Sequence, residues 1–314
     1  MNREDRRELI DELLARIDCY EREQQPLLGI AQFENRFALV CQFIDSIRRV
    51  QYVHEIRDDA SISTHRTDPA HELFDPLKAA AVLAQQNSYE EACWLVFLAT
   101  HFGKHKNDGW QIAKDIYGAL NLDVPWTWVR ASENHSLMDQ WINDHYQLLI
   151  TDGVSRRFSN HRKYESLRPD SNRATGKVIS SYIAWINGFG SHKALFDHAL
   201  IQSQGCPKKA FRWLYNSMNV LSFGRTAKFD YLTMLAKLNL ANIEADSAYL
   251  KNATGPLRGA KLLFSGRIAS NISVDKLERD LICLALYLNV GMQEIEDALC
   301  NWQKNPNRHI RFRG

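Results

Sequence analysis

The run Leu221–Gly266, "LSFGRTAKFDYLTMLAKLNLANIEADSAYLKNATGPLRGAKLLFSG", decides how this chain is read. Its "AKFDYLTMLAKL" repeats apolar residues at helical spacing, and so does "KKAFRWLYNSMNVL" just before it. Between the two lies one glycine, Gly224. Helix, short turn and helix is the outline of a helix-hairpin-helix. There the turn amides and the first amides of the next helix lack intrahelical partners and can face a phosphate. Arg225, Thr226 and Lys228 follow the glycine and would add charge and a hydroxyl at that place. The same pattern fits an ordinary pair of helices whose glycine supplies a positive φ. A second glycine turn, Gly188-Phe189-Gly190, also precedes a helix, but no aspartate follows it at a comparable distance, so it reads as a tight connection.

Outward from this run, helical periodicity dominates. Leu9, Ile10, Leu13, Leu14 and Ile17 line one face of a first helix, and "FALVCQFIDSIRRVQYV" repeats the pattern. "DPLKAAAVLAQQ", "YEEACWLVFLATHFG" with Gly103 as its stop, and "SLMDQWINDHYQLLI" follow. "VISSYIAWI", "HKALFDHALIQ", "VDKLERDLICLALYLN" and "MQEIEDALCNWQ" read alike, and alternating strands are scarce. The expected class is all-α. One stretch breaks the periodicity: residues 154–177 carry seven basic residues against two acidic ones, with Pro169 and Gly176. It reads as a basic connection. The linear division is therefore an N-terminal helical lobe over 1–153, the connection over 154–177, and a second helical lobe over 178–314.

Composition narrows the class. The 314 residues carry a formal charge of only +2, so any nucleic-acid role must come from local patches. Hydrophobic residues at 45% and charged ones at 24% are ordinary for a globular protein. The six cysteines are scattered, with no Cys-x-x-Cys pair, which argues against zinc and for reduced thiols in a cytoplasm. The first residues are charged throughout, unlike a signal peptide, and no apolar run is long enough to span a membrane. No cofactor and no metal are expected.

Twenty-two residues after Gly224 stands Asp246, in "EADSAYL" between helices. A carboxylate beneath a sugar stabilises the positive charge that develops when an N-glycosidic bond breaks, and it can orient the attacking water. An aspartate before "SAYL" is equally a good helix N-cap. Asp230 reads as a partner for Arg225 or Lys228 at close helical spacing, with a supporting catalytic role as the other reading. Gly255-Pro256 and Gly259 stand among Lys251, Arg258, Lys261 and Arg267, a turn that suits a DNA backbone or a plain solvated face. "THFGKHKNDGW" offers His101, Lys104 and Trp110 for a pocket around a flipped base, with Tyr249 beside Asp246 as a further candidate. The tail "KNPNRHIRFRG" has four basic residues and no acid, a candidate arm on the backbone.

Taken together, "FENRFALVCQFIDSIRRVQYV", "HFGKHKNDGW", "FGRTAKFDYL", "YLKNATGPLRGAKLLF" and "EIEDALCNW" resemble the α-glutamyl/putrescinyl thymine pyrophosphorylase-like family over about residues 30–303. The succession "FGR…GP…GA" is the most specific part. That family is similar in fold to helix-hairpin-helix DNA glycosylases, which implies two helical lobes with a DNA cleft between them. It is named for a step in which an amine displaces pyrophosphate from an activated 5-hydroxymethyl group of phage thymine. Its bacterial relatives include an antiphage glycosylase that removes α-glucosylated 5-hydroxymethylcytosine. The resemblance implies Asp246 as the catalytic carboxylate; with the turn and basic residues read above, Gly224, Arg225, Thr226, Lys228, Arg258 and Lys261 are the expected contacts to double-stranded phage DNA with modified bases. Related lyases carry a Schiff-base lysine in Gly-Arg-Lys-Thr-Ala, whereas this chain has Gly224-Arg225-Thr226-Ala227. The expectation is a monofunctional, water-using DNA glycosylase, with the pyrophosphate-displacing transferase as the alternative.

Overall fold

The computed structural model describes residues 3–311; the last three residues of the basic tail lie outside them. Among the described residues the chain is all-helical, as its periodicity implies, with no strand. The helices are α1 (Arg3–Glu23), α2 (Phe33–Asp58), α3 (Pro76–Gln85), α4 (Tyr89–Phe102) and α5 (Gln111–Tyr117). Then come α6 (Trp128–Glu133), α7 (Leu137–Asp144), α8 (Tyr146–Thr151), α9 (Thr175–Asn187) and α10 (His192–Gln202). The last are α11 (Pro207–Ser217), α12 (Arg225–Lys237), α13 (Gly255–Ser265), α14 (Val274–Leu288) and α15 (Met292–Trp302). Their limits follow local chemistry. Asp75 caps α3, accepting from the amides of Leu77 at 3.1 Å and Lys78 at 3.2 Å, with Pro76 in the first turn. Ser191 caps α10 from the Ala194 amide at 3.0 Å. Gly103 closes α4 at φ +63° and Asn289 closes α14 at φ +54°, the left-handed region that ends helices.

The chain forms two compact units, and they group it differently from the linear division at 153 and 178. Residues up to 53 join those from 245 onward, while 54–244 make the other unit. In the discontinuous unit α1 packs on α14, and α13 packs on α14, α15 and the turn Leu28–Ile30. Leu13, Ile17 and Tyr20 are buried with Leu281, Leu284 and Leu288. Asp297 of α15 accepts from Ser46 and from the Arg49 guanidinium of α2, each at 2.8 Å. The tail docks here too: His309 bonds Asp45 at 2.9 Å, and Gln42 donates to the Ile310 carbonyl at 3.0 Å.

The continuous unit is built around α4, which packs against α3, α5, α6, α10 and α12. Every residue from Ala92 to Ala99 is buried, so this helix is apolar all round because it is enclosed all round. Phe97 stacks on Tyr182 with ring centroids 3.6 Å apart and on Phe223 at 5.4 Å. Burying each such ring is worth about 1.5–3 kcal/mol.

Candidate functional site

Asp246 lies on the segment between α12 and α13, and no helix begins there; the next starts at Gly255. The cap reading therefore does not hold. Asp246 is only 9% exposed, and its carboxylate accepts a hydrogen bond from the Tyr249 hydroxyl at 2.7 Å. Tyr249 has φ +50°, a left-handed backbone that costs a bulky residue energy. Two bonds hold the segment in that shape: the Tyr249 amide donates to Ser247 Oγ at 2.9 Å, and the Leu250 amide to Glu278 Oε1 at 2.5 Å. The result is a nearly buried, oriented carboxylate on rigid non-helical backbone in the discontinuous unit.

The Gly224 turn belongs to the continuous unit. The expected outline of helix, turn and helix is present as α11, residues 218–224 and α12. The positive φ that an ordinary helix pair would ask of its glycine is not at Gly224. Gly224 has φ −75° and ψ −169°, extended backbone that any residue adopts, and a side chain there would meet nothing within 4 Å. The left-handed residue of the turn is Ser222, at φ +64°. Gly190, by contrast, does use φ +92° between α9 and α10. Arg225 lies against the Phe229 ring at 4.9 Å, and Thr226 is exposed. Lys228 folds back onto α11, donating to the Tyr215 carbonyl at 3.2 Å, and burial pulls its ammonium below the ordinary lysine range. The partner expected for Asp230 on its own helix is also revised: Asp230 takes the buried Arg162 guanidinium at 2.9 Å.

Arg162 comes from the basic connection, whose charge is mostly neutralised in place. Arg156 pairs with Asp115 and Asp152, each at 2.6 Å, Arg157 pairs with Asp108, and Arg168 with Asp170 at 2.7 Å. Hydrogen bonds from Arg157 hold Asp108 well below the usual carboxylate range. The connection is thus less basic at its surface than its composition suggests. In the discontinuous unit, Gly255-Pro256 is not a loop turn but the start of α13. A Cβ on Gly255 would lie 2.7 Å from Cys300 Sγ, and one on Gly259 2.5 Å from the Leu299 carbonyl oxygen. These glycines let α13 and α15 approach. Arg258 is exposed and Lys261 half-buried on the same helix.

Of the expected base-pocket residues, His101, Lys104 and Trp110 lie in the continuous unit. His101 is a core residue, 1% exposed, stacked on Phe97 at 6.0 Å and bonded to Thr175 Oγ1 at 3.3 Å. Burial, with the nearby Arg162 charge, pushes its pKa down to about 3, so the ring is neutral. Lys104 is largely exposed, 4.0 Å from Asp75 and 6.0 Å above the Trp110 ring. Tyr249 belongs to the other unit.

A cavity of about 570 Å³ in the continuous unit is lined instead by Tyr89, Glu90, Glu91, Tyr117, Thr127 and Trp128, among others, with no Lys, Arg or His in its lining. Glu91 accepts from Tyr117 Oη at 2.8 Å and from the Trp128 amide at 2.6 Å; burial nevertheless pushes its carboxyl above the ordinary range. Glu90 accepts from the His192 amide at 2.9 Å, from His192 Nδ1 at 2.5 Å and from the Lys193 amide at 3.1 Å. Burial works to raise its pKa, but these bonds outweigh it and the net shift is downward. The His192 proton position follows by bookkeeping. Burial lowers its pKa against the pull of Glu90, so the ring is neutral. With Nδ1 donating to Glu90, Nε2 must accept from Tyr182 Oη at 2.7 Å, and Tyr182 accepts in turn from Tyr231 Oη at 2.8 Å. Glu90 is thereby fixed as an anion at the cavity wall. Two carboxylates and three aromatic rings suit a cation and repel a phosphate. Sequence reading missed this pocket. Its one signal is Glu90-Glu91 opening a helix whose other positions are almost all apolar, so that acids and core share one element.

Among the described residues no cluster of three or more His, Cys, Asp or Glu could hold a metal ion, and no helix is long and apolar enough to cross a membrane. The sequence pattern of the alpha-glutamyl/putrescinyl thymine pyrophosphorylase clade 3 family matches residues 34–314, and the chain belongs to that family. No curated protein and no solved structure gives a match.

Proposed function

We propose that this member of the family is an enzyme of modified DNA bases that substitutes an amine for pyrophosphate at the C5 methylene of a thymine-type base. The nitrogen bonds to the methylene carbon as the carbon–oxygen bond breaks, and its electrons leave with pyrophosphate. The proton that the nitrogen sheds passes to a carboxylate. The observation that carries this reading is the acidic, aromatic-walled cavity, whose Glu90 and Glu91 suit a cationic amine. Glu90 supplies the fixed negative charge, and Glu91, raised by burial, is the better proton acceptor. Gly224, Arg225 and Thr226 at the start of α12, with Lys228, Arg258 and Lys261, are the proposed contacts to duplex phage DNA, in a cytoplasmic setting.

Asp246 favours a second reading, hydrolytic excision of a modified base such as α-glucosylated 5-hydroxymethylcytosine as an antiviral defence. The C1′–N bond breaks, water adds to C1′, and the base departs with a proton. A nearly buried carboxylate held by Tyr249 supports such chemistry. This reading keeps two helical lobes around a DNA cleft and Asp230 as a supporting residue.

One experiment separates them. The purified protein is given DNA carrying pyrophosphorylated 5-hydroxymethyluracil with putrescine, and separately glucosylated phage DNA without amine. Pyrophosphate release with a matching mass gain on the base supports substitution. Free base and abasic sites support excision, and no reaction on either substrate removes both.

A further inference from the structure

Within the connection, Arg156, Arg157, Arg162 and Arg168 are engaged as described, but Lys163 and Arg173 make no ion pair among the described residues and both are exposed. Both stand near Tyr164, 67% exposed, with Lys163 Nζ 5.2 Å and Arg173 Cζ 5.7 Å from its ring centroid. A large aromatic ring left in solvent beside two cations that make no ion pair covers little apolar surface, so packing does not account for it.

We propose that Lys163, Tyr164 and Arg173 form a binding surface for an unpaired stretch of DNA, a base stacking on the Tyr164 ring while its phosphates meet the two cations. The proposal rests on the reading that this protein acts on DNA. Three features of the structure lead to it. The chemistry matches both parts of a nucleotide: a π-face for the base and positive charge for the backbone. The surface is fixed, not a loose loop, because the residues on either side are anchored. Arg162 bonds Asp230 at 2.9 Å and the Thr100 carbonyl at 2.7 Å, and Glu165 Oε1 accepts from Ser222 Oγ at 2.9 Å. Those anchors also bring it to the turn before α12, since Ser222 is two residues from Gly224, whose backbone is open to solvent. The preference for an unpaired strand follows from the ring: a base already stacked and paired within a duplex has no face to offer it. Both cation contacts are weak and solvent-exposed, so an incoming base can displace them from the ring and leave them for phosphate.

The test is fluorescence anisotropy with the full chain, using labelled oligothymidylate and the same strand annealed to its complement. Tyr164→Ala is expected to weaken single-strand binding by roughly 5- to 100-fold, and Tyr164→Phe to restore it. Duplex affinity should change less than about twofold in both variants. Lys163→Ala and Arg173→Ala should each lower the salt slope of single-strand binding by about 0.7. Because Tyr164 is exposed, its variants leave the core untouched. If the parent binds the single strand and Tyr164→Ala binds it equally well, the platform is overturned while the DNA reading stands. An equal loss on duplex overturns the preference for an unpaired strand. If the parent binds neither form, the DNA reading falls and this inference with it.

Discussion

Two carboxylate–tyrosine pairs in this molecule are built in opposite ways. Asp246 and Tyr249 are three residues apart on non-helical backbone, and their bond depends on a left-handed tyrosine. Glu91 and Tyr117 are separated by 26 residues and meet only because α4 and α5 pack together. The first pair is a local device, stored in a short segment. The second is a tertiary device, and removing its support means disturbing a core helix. A local device leaves a trace in sequence spacing; a tertiary one leaves almost none.

The sharpest way to break this comparison is to disable each pair in turn. Asp246→Asn should lower base excision by about a thousandfold and leave amine substitution unchanged, and Glu91→Gln should do the reverse. Mass spectrometry of both products in both variants checks it; a single variant that abolishes both reactions would break the assignment of one pair to each chemistry.

Packing constraints give the next largest effect. Gly259→Ala places a Cβ 2.5 Å from a backbone oxygen of α15, which cannot swing away, and should cost about 1–3 kcal/mol in urea unfolding. An unchanged midpoint would mean that α13 and α15 shift apart freely.

His101 tests a tertiary feature through pH. Its folded pKa of about 3 lies below the ordinary value of 6.5, so the unfolded chain binds the proton more readily. Stability should therefore be full above about pH 6.5 and decline as pH falls toward 3, by about 2 kcal/mol between pH 7 and pH 5. Urea titrations at the two pH values read this directly, and His101→Gln should flatten the difference. His192, also held neutral by burial, contributes in the same direction. The smallest effect is expected at Gly224. With negative φ and open space around it, Gly224→Ala should alter stability by less than about 0.5 kcal/mol, and a larger loss would restore the turn role first assigned to it.

These cases show how much was legible. The helices were, because apolar spacing of three and four dictates them, and so was the Gly103 stop. Asp246 stands out in sequence by its place between helices, twenty-two residues after Gly224, and its bonding partner Tyr249 lies only three residues on. The turn at Gly224 was found, but its left-handed residue was misplaced, since Ser222 adopts φ +64° with a side chain bonded to Glu165 from 57 residues earlier. His101 looked like a pocket residue because a polar loop follows it, yet helix phase turns it into the aromatic core. The charge of residues 154–177 is legible as composition but its pairing is not, because Asp108, Asp115 and Asp230, the partners of Arg157, Arg156 and Arg162, come from distant helices and turns. The Glu90–His192–Tyr182–Tyr231 chain joins four helices and has no sequence signature at all.

The discontinuous unit carries a consequence for synthesis on the ribosome. The apolar face of α1, with Leu13 and Ile17, is completed only by α14, after the whole of 54–244 has been made. At about 5–20 residues per second, the stretch from Glu23 to Leu288 leaves α1 waiting on the order of ten to fifty seconds for its partner. The continuous unit has all its own parts and can fold in the meantime. The nascent chain therefore carries an uncovered greasy helix ahead of a finished body, the circumstance in which chaperones bind and in which slowing translation between residues 54 and 244 would raise aggregation.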